Sequence, residues 1–175
     1  DAAFELMTDL PYDKQAIIDQ CDQLPGDYFL RHHPLEIKWH VDTILGSPEQ
    51  STLVRVRQAT YTKTTKVFVY CDENPNVFSQ VTGALGSLGL SILNAEIFTT
   101  KNDKIMDTFI IQDQNSKSVT EPSIVKQIED ALIKAFRSKT AYKPTISKRR
   151  HRHQKVFSHP TQIQFEQDTA HQRTV

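Results

Sequence analysis

The chain has 175 residues, of which 38% are hydrophobic and 24% are charged, with 21 basic and 21 acidic side chains. This length suits one principal hydrophobic core with flanking segments, or two very small domains, and we expect the former. No run approaches the roughly 18 apolar residues of a membrane span, and no basic and apolar leader is visible, so the composition favours a soluble, cytoplasmic protein without a membrane partner.

Both ends of the sequence predict a piece of a longer protein, because the chain begins at Asp1 rather than at a methionine and ends without a stop signal. The two cysteines, Cys21 and Cys71, lie far apart and form no CxxC pair. This spacing argues against a disulfide framework or a zinc site, and we expect both thiols to be reduced packing residues.

Residues 1–50 have the pattern of two or three helices. Apolar residues recur at helical spacing up to the Pro25-Gly26 pair, which should end the first helix. A short helical piece is expected at 28–30. A longer helix is expected over 34–45, because proline opens that run and glycine follows it directly.

Residues 51–138 change to a pattern of strands and helices. An extra leading strand is expected around Leu53, Val54 and Val56, followed by strand, helix, strand, strand and helix. The expected bounds are 66–71, 77–88, 90–99, 105–111 and about 122–135. Only the last strand of a βαββαβ sheet is missing, so we predict an α+β, ferredoxin-like domain.

The C-terminal part divides into a linker and the predicted start of another domain. Residues 139–175 carry 8 basic and 2 acidic side chains, and 139–160 lack periodicity, so we interpret 139–160 as a basic linker. Residues 161–165 alternate strictly, and 173–175 begin another strand. Because this order echoes the start of the first domain, 161–175 is predicted to be the truncated start of a second copy.

The loop and helix after the 66–71 strand resemble the ACT domain family. The matching runs are Glu73-Asn74-Pro75-Asn76-Val77-Phe78, Leu88-Gly89-Leu90-Ser91-Ile92 and Ala95. Further runs extend the resemblance to nearly the whole chain: Tyr28-Phe29-Leu30-Arg31-His32, Pro34-Leu35-Glu36-Ile37-Lys38-Trp39-His40, Asn94-Ala95-Glu96-Ile97-Phe98-Thr99-Thr100 and Met106-Asp107-Thr108-Phe109. Together they resemble the C-terminal regulatory region of the bacterial PII uridylyltransferase/uridylyl-removing family, with 1–50 following its HD domain and 51–138 being its first ACT domain.

The resemblance also implies a function. Members of that family carry a nucleotidyltransferase domain, an HD phosphohydrolase domain and two ACT domains that sense glutamine, and they act on the nitrogen-signalling protein PII. Neither catalytic motif is visible here, so we expect no enzyme activity, catalytic residue or cofactor in this segment, and Mg²⁺ only in the parent's catalytic domains. The expected partners are glutamine, a second ACT domain or another copy of the chain, and the parent's catalytic domains.

An effector site is implied beside the loop between the first ACT strand and helix. The implied residues are Glu73, Asn74, Asn76, Val77 and Phe78, with Asn94 on the next strand. Backbone N–H groups at a helix N-terminus suit an amino-acid carboxylate, and an acidic side chain suits its ammonium group. Asn76 replaces the family's glycine; asparagine tolerates the left-handed conformation but adds a side chain. The alternative is a loop that only starts the helix.

Histidines raise the question of a metal site. Two groups among the seven histidines are close in sequence, the pair His32-His33 and, in the basic segment, His151, His153 and His159. Because no cysteine lies nearby and arginines flank both groups, we expect no metal. Tyr28 and Trp39 are expected to anchor helix packing, and Arg31 and Glu36 to be solvated or paired surface charges.

Two other functions stay open. An RNA-recognition fold shares the βαββαβ order, and 67–70 resembles its first-strand motif, but the 104–109 strand has one aromatic residue and places Asp107 on the sheet. We therefore expect no specific nucleic acid. The other is a structural module that pairs with another ACT domain, in which the 161–165 strand joins a sheet edge of its own or a neighbouring chain.

Overall fold

The computed structural model describes residues 2–59 and 64–138, together with the two short segments 167–168 and 173–174. The chain divides into two compact units, Asp1–Pro144 and Thr145–Val175. The helices of the first unit are α1 Ala2–Met7, α2 Lys14–Asp22, α3 Tyr28–Arg31, α4 Pro34–Leu45, α5 Val77–Ser87 and α6 Pro122–Arg137. Its strands are β1 Thr52–Gln58, β2 Thr65–Asp72, β3 Ser91–Thr99 and β4 Lys104–Gln112.

The second unit is described only by β5 Gln167–Asp168 and β6 Arg173–Thr174, which pair antiparallel. The strand expected to begin at residue 173 is therefore confirmed. The linker expected over 139–160 and the strand expected over 161–165 lie outside the described residues.

The four strands of the first unit form one antiparallel sheet in the order β1-β2-β4-β3. Strands β2 and β3 run parallel on either side of β4 and are connected through α5, as in a split βαβ unit. The leading strand β1 lies on the other side of β2, at the edge that the last strand of a βαββαβ sheet takes. The α+β, ferredoxin-like prediction is thus confirmed, and β1 fills the place of the strand that the sequence lacked.

Both faces of this sheet are buried. Successive residues of a strand point to opposite faces, and the two resulting cores contain different helices. One face packs against α1–α4 through Leu53, Phe68, Tyr70, Phe98 and Met106. The other packs against α5 and α6 through Val54, Val67, Val69, Cys71, Phe109 and Ile111.

The buried aromatic face argues against the RNA-binding alternative. Phe68 is fully buried and Tyr70 is only 8% exposed, because the helices α1–α4 cover the face on which these rings lie. An RNA-recognition sheet must leave such rings open to stack on bases. The 67–70 run therefore fills a core rather than forming a base-stacking surface.

Local signals explain the ends of several helices. Helix α4 begins at Pro34, with the His33 Nδ1 atom accepting a hydrogen bond from the backbone N–H of Leu35 at 3.3 Å. Gly89, two residues beyond α5, has a φ of +73°, which turns the chain from the helix into β3. Four helices precede the sheet rather than two or three, because the six-residue α1 was not predicted.

Candidate functional site

The loop between β2 and α5, residues 73–76, is called the α5 loop here. Its geometry is set by Asn74, whose Oδ1 accepts from the backbone N–H of Asn76 at 2.9 Å and whose carbonyl accepts from Val77 N–H at 3.1 Å. Asn76 has φ −98° and ψ −1°, so it does not use the left-handed conformation that its glycine-like position suggested. These bonds fit the hypothesis of an asparagine-rich loop that starts the helix.

The predicted effector residues differ in accessibility. Glu73 is exposed, Asn74 and Asn76 are half-buried, and Phe78 is 50% exposed with its ring centroid 6.1 Å from that of Phe109. Val77 is only 2% exposed and belongs to the core under α5. Its side chain therefore packs the helix, and its backbone N–H already donates to the carbonyl of Asn74.

Asn94 does not lie near the α5 loop within this unit. It pairs with Ile110, whereas Asp72, just before the loop, pairs with Lys104 at the other end of β4. Six strand residues separate these positions, which is about 20 Å. Asn94 is exposed on the edge strand β3, next to a register shift at Leu93. A ligand contacting both places would need a second domain or chain.

Helix α5 has free donors in its first turn. Among the described residues, the backbone N–H groups of Phe78 and Ser79 find no acceptor. The helix has no side-chain cap and no acidic residue in its first turn. A carboxylate placed there would be favoured by these donors and by the helix dipole.

Gln80 connects the α5 loop to the end of α6. Its side-chain Oε1 accepts from Asn74 Nδ2 at 3.3 Å, and its Nε2 donates to the carbonyl of Ser138 at 2.9 Å. Gln80 is only 2% exposed. The loop is thus joined by two hydrogen bonds to the last described residue before the predicted linker. Sequence reasoning missed Gln80, because a glutamine within a helix normally indicates a solvated face.

Asp107 is a buried carboxyl group on the sheet face that packs against α5 and α6. It is 2% exposed, and burial raises its pKa to about 7, while a hydrogen bond from the Phe98 backbone N–H opposes that rise. Its Oδ1 has no partner among the described residues. Burial, followed by the charge of Asp107, also raises the pKa of Cys71 to about 12. The sequence placed Asp107 on the sheet but gave no sign of this burial.

Several single-residue expectations are now decided. Cys21 and Cys71 are free thiols, half-buried and buried respectively, as expected of packing residues. Tyr28 is fully buried, and Trp39 packs on the core with Arg57 over its ring at 3.9 Å. Arg31 is exposed beside Asp27.

Glu36 was expected to be a solvated or paired surface charge, and it is paired but buried. It is 6% exposed and accepts a hydrogen bond from Lys66 Nζ. The expectation was wrong because the polar side of α4 at this position faces the sheet rather than solvent. A buried carboxylate needs such a cation to compensate its lost hydration.

A groove lies elsewhere in the first unit. It is an open groove of about 490 Å³ between β1 and α6, lined by residues that include Val56, Arg57, Val125 and Glu129. None of the predicted effector residues lines it. Glu129 Oε1 accepts from the backbone N–H of Val56 at 3.1 Å, so this edge of the sheet is already partly occupied.

Comparison with known proteins shows which enzyme the chain resembles. No family model matches it. It is 30% identical over 99% of its length to the bifunctional uridylyltransferase/uridylyl-removing enzyme of Idiomarina loihiensis, and 31% identical over 99% to that of Pseudomonas entomophila. It is 32% identical over 87% of its length to the enzyme of Pseudomonas putida.

The chain spans about one fifth of the length of these relatives. It is therefore related, over nearly all its residues, to one segment of that enzyme, and the family resemblance expected from the sequence is confirmed. A segment of this size agrees with the expectation that the chain is not the catalytic part. Within the described residues, no helix has the length and apolar character to cross a membrane.

Proposed function

We propose that this chain is a regulatory module of a uridylyltransferase/uridylyl-removing enzyme and that it senses an amino acid, glutamine, at the α5 loop. In this proposal the module works in the cytoplasm and has no catalytic residue or cofactor of its own. Mg²⁺ belongs to the catalytic domains of the parent, which acts on PII.

The observation that carries the proposal is the hydrogen-bond path from Asn74 through Gln80 to Ser138. A ligand that reorders the α5 loop would change the geometry of Asn74. Because Gln80 is buried, its side chain has few other positions to adopt, and the change reaches the end of α6. In this proposal the change at the loop is passed on to the segment that follows α6.

The chemistry around the loop fits an amino acid. The N–H groups of Phe78 and Ser79 supply donors for the α-carboxylate at the N-terminus of α5, and exposed Glu73 supplies a carboxylate for the ammonium group. Asn74 and Asn76 offer amide groups that complement a side-chain amide. Distant Asn94 belongs to an effector site only when a second domain or a second copy of this chain places its own loop against this β3 strand.

Regulation then follows from differential binding. Glutamine would favour one arrangement of the ACT modules on the catalytic domains over another, and its effect is limited to its difference in affinity for the two. The proposed direction is that high glutamine favours uridylyl removal and low glutamine favours uridylyl transfer.

Isothermal titration with L-glutamine tests this function. The chain and a longer chain with two ACT domains are titrated in parallel, with D-glutamine as the ligand control. We expect L-glutamine binding that Glu73→Gln weakens and that Glu121→Gln, an exposed change at the start of α6, leaves unaltered. Binding to the longer chain alone would move the site to the interface between domains. If L-glutamine produces no binding heat with either chain, glutamine sensing is refuted.

The alternative of a structural pairing module is favoured by the β3 edge. Leu93 and Ile97 are 50% and 57% exposed on this edge strand, whereas the β1 edge has its Val56 N–H bonded to Glu129. An open apolar edge can add a strand from another domain. Analytical sedimentation of the chain and of Ile97→Lys, with and without glutamine, distinguishes sensing from structural pairing. A dimer that forms without glutamine and that Ile97→Lys dissociates would favour a structural pairing module.

A further inference from the structure

Three side chains from separate elements meet between the helices and the sheet: His32 just after α3, Glu36 on α4 and Glu96 on β3. One potential ligand atom of each lies within 4.8 Å of the others. The His32 side chain is 1% exposed and that of Glu96 is 27% exposed. This group is called the His32 cluster here.

The orientation of the His32 ring is fixed from two sides. Its Nδ1 lies 3.1 Å from the carbonyl oxygen of Tyr28, and its ring stacks on that of Tyr28 with centroids 4.3 Å apart. Because a carbonyl only accepts, Nδ1 carries the proton, and in the neutral ring the lone pair is on Nε2. Metal-binding histidines are commonly held in this way, with the other ring nitrogen donating to a carbonyl.

That lone pair faces a carboxylate oxygen. His32 Nε2 lies 3.2 Å from Glu96 Oε2, and neither atom makes a hydrogen bond to a described residue. These two atoms face each other without a repulsive contact only when a positive charge lies between them, either a proton on Nε2 or a metal ion. With metal–ligand bonds of about 2.1 Å, two ligands of one tetrahedral ion lie about 3.4 Å apart, close to the observed separation.

The charges around the cluster leave room for a cation. Glu36 and Glu96 are two carboxylates, and the nearby cation is Lys66, whose Nζ donates to Oε1 of Glu36. The second oxygen of Glu36 stays available as a ligand. Arg57 lies near enough to Glu36 to interact with its charge, but its guanidinium stacks on Trp39.

We propose that the His32 cluster binds one divalent transition-metal ion, with Zn²⁺ the best match to one imidazole and two carboxylates. Three protein ligands leave the fourth position to water or an incoming ligand. The ion would join the helical layer to the edge strand β3. The sequence gave no sign of it, because Glu96 lies 60 residues from Glu36 and no metal-ligand spacing appears.

Titration of the full chain with Zn²⁺ tests the site, in a variant in which His151, His153 and His159 are replaced by asparagine to remove competing ligands. We expect one Zn²⁺ per chain and a rise in Tm, because an ion that binds only the folded state stabilises it. Mg²⁺ at the same concentration should have no effect. Co²⁺ should produce the visible absorption of a four-coordinate nitrogen and oxygen site.

Glu96→Gln is the decisive variant, because it keeps the size of a partly exposed side chain and removes one ligand charge. We expect Zn²⁺ affinity to fall at least tenfold, with circular dichroism unchanged. His32→Asn should show the same loss of affinity. Glu121→Gln should bind Zn²⁺ as tightly as the protein without that change. Absence of Zn²⁺ binding, or equal affinity in Glu96→Gln, would overturn the proposal and leave His32 and Glu96 as an ion pair.

Discussion

The imidazole of His40 lies flat against the ring of Phe68, with centroids 4.1 Å apart and ring planes 14° apart. His40 comes from α4 and Phe68 from the central strand β2, so this stack joins the helical layer to the sheet. Burial holds the pKa of His40 well below its usual value, so the ring is neutral. Helices α1–α4 therefore complete the core of the first unit.

Tyr28→Phe tests the polar contact behind that stack. The Tyr28 hydroxyl lies 2.6 Å from Nδ1 of His40 in a fully buried position. Removing it leaves a buried ring nitrogen without this partner, so we expect the free energy of unfolding to fall by about 1–2 kcal/mol. Urea unfolding followed by the fluorescence of Trp39, the single tryptophan, measures the change.

Tyr12→Phe is the matched control. The Tyr12 hydroxyl also bonds to another side chain, Asp42 Oδ1 at 3.0 Å, but this contact is only part-buried. Water can replace it, so we expect a loss below about 0.5 kcal/mol. Equal losses in the two variants would contradict the role assigned to the buried pair.

Asp107→Asn tests the buried carboxyl on the other face of the sheet. At low pH Asp107 is protonated in both the folded and the unfolded chain, so it adds no ionisation penalty to folding. Between about pH 4 and 7 the unfolded chain ionises Asp107 while the folded chain keeps the proton, because its pKa rises from 3.8 to about 7. The contribution of Asp107 to the free energy of unfolding should therefore fall as the pH rises, by about 4 kcal/mol in total, and level off above pH 7.

Urea unfolding at pH 5 and at pH 8 measures this slope. Relative to the unmodified chain, Asp107→Asn should stabilise more at pH 8 than at pH 5. Buried His40 contributes the opposite slope, because it is protonated in the unfolded state at pH 5, but this contribution is the same in both chains. The control is Asp103→Asn, an exposed turn residue with φ +58° that asparagine also tolerates. If Asp107→Asn and Asp103→Asn both keep the pH dependence of the unmodified chain, the burial assigned to Asp107 is wrong.

The sequence predicted those parts of the fold that local signals determine. Helix α4 was predicted over its observed bounds, because Pro34 starts it and Gly46 follows its end. The position of β1 could not be predicted, because strand pairing joins residues far apart along the chain. Val54 pairs with Val69, and no local pattern indicates that this pairing replaces a last strand.

The candidate site likewise has one part that the local sequence indicates and another that only tertiary contacts define. The α5 loop was identified from a resemblance in consecutive residues. Gln80, Asp107 and the His32 cluster were missed because their roles depend on tertiary contacts. A glutamine becomes a connector only when Ser138 lies beside it. An aspartate becomes a buried acid only when helices cover it.

Gly89→Ala tests the turn that brings β3 back to the sheet. Gly89 has φ +73°, and a Cβ there would lie 2.4 Å from Nε2 of the Gln114 side chain. The exposed amide can move, but the backbone strain stays, so we expect a loss of about 1–2 kcal/mol. Gly86→Ala is the opposite control, since a Cβ there meets no atom within 4 Å in α5. It should stabilise by about 0.5–1 kcal/mol. Thermal unfolding compares the two, and a stabilising Gly89→Ala would contradict the assigned turn.

Gln80→Leu tests the path between the α5 loop and the end of α6. The change keeps a buried side chain of similar size but removes the donor to the Ser138 carbonyl and the acceptor for Asn74 Nδ2. Losing these two part-buried bonds should cost about 1 kcal/mol, and Gln127→Leu, on the exposed side of α6, should cost almost nothing. Hydrogen exchange should become faster both in the loop, 73–76, and in the last turn of α6, because each loses the partner that holds it. Faster exchange in the loop alone would show that Gln80 stabilises the start of α5 without connecting it to α6, and the path by which an effector would reach the second unit would have to lie elsewhere.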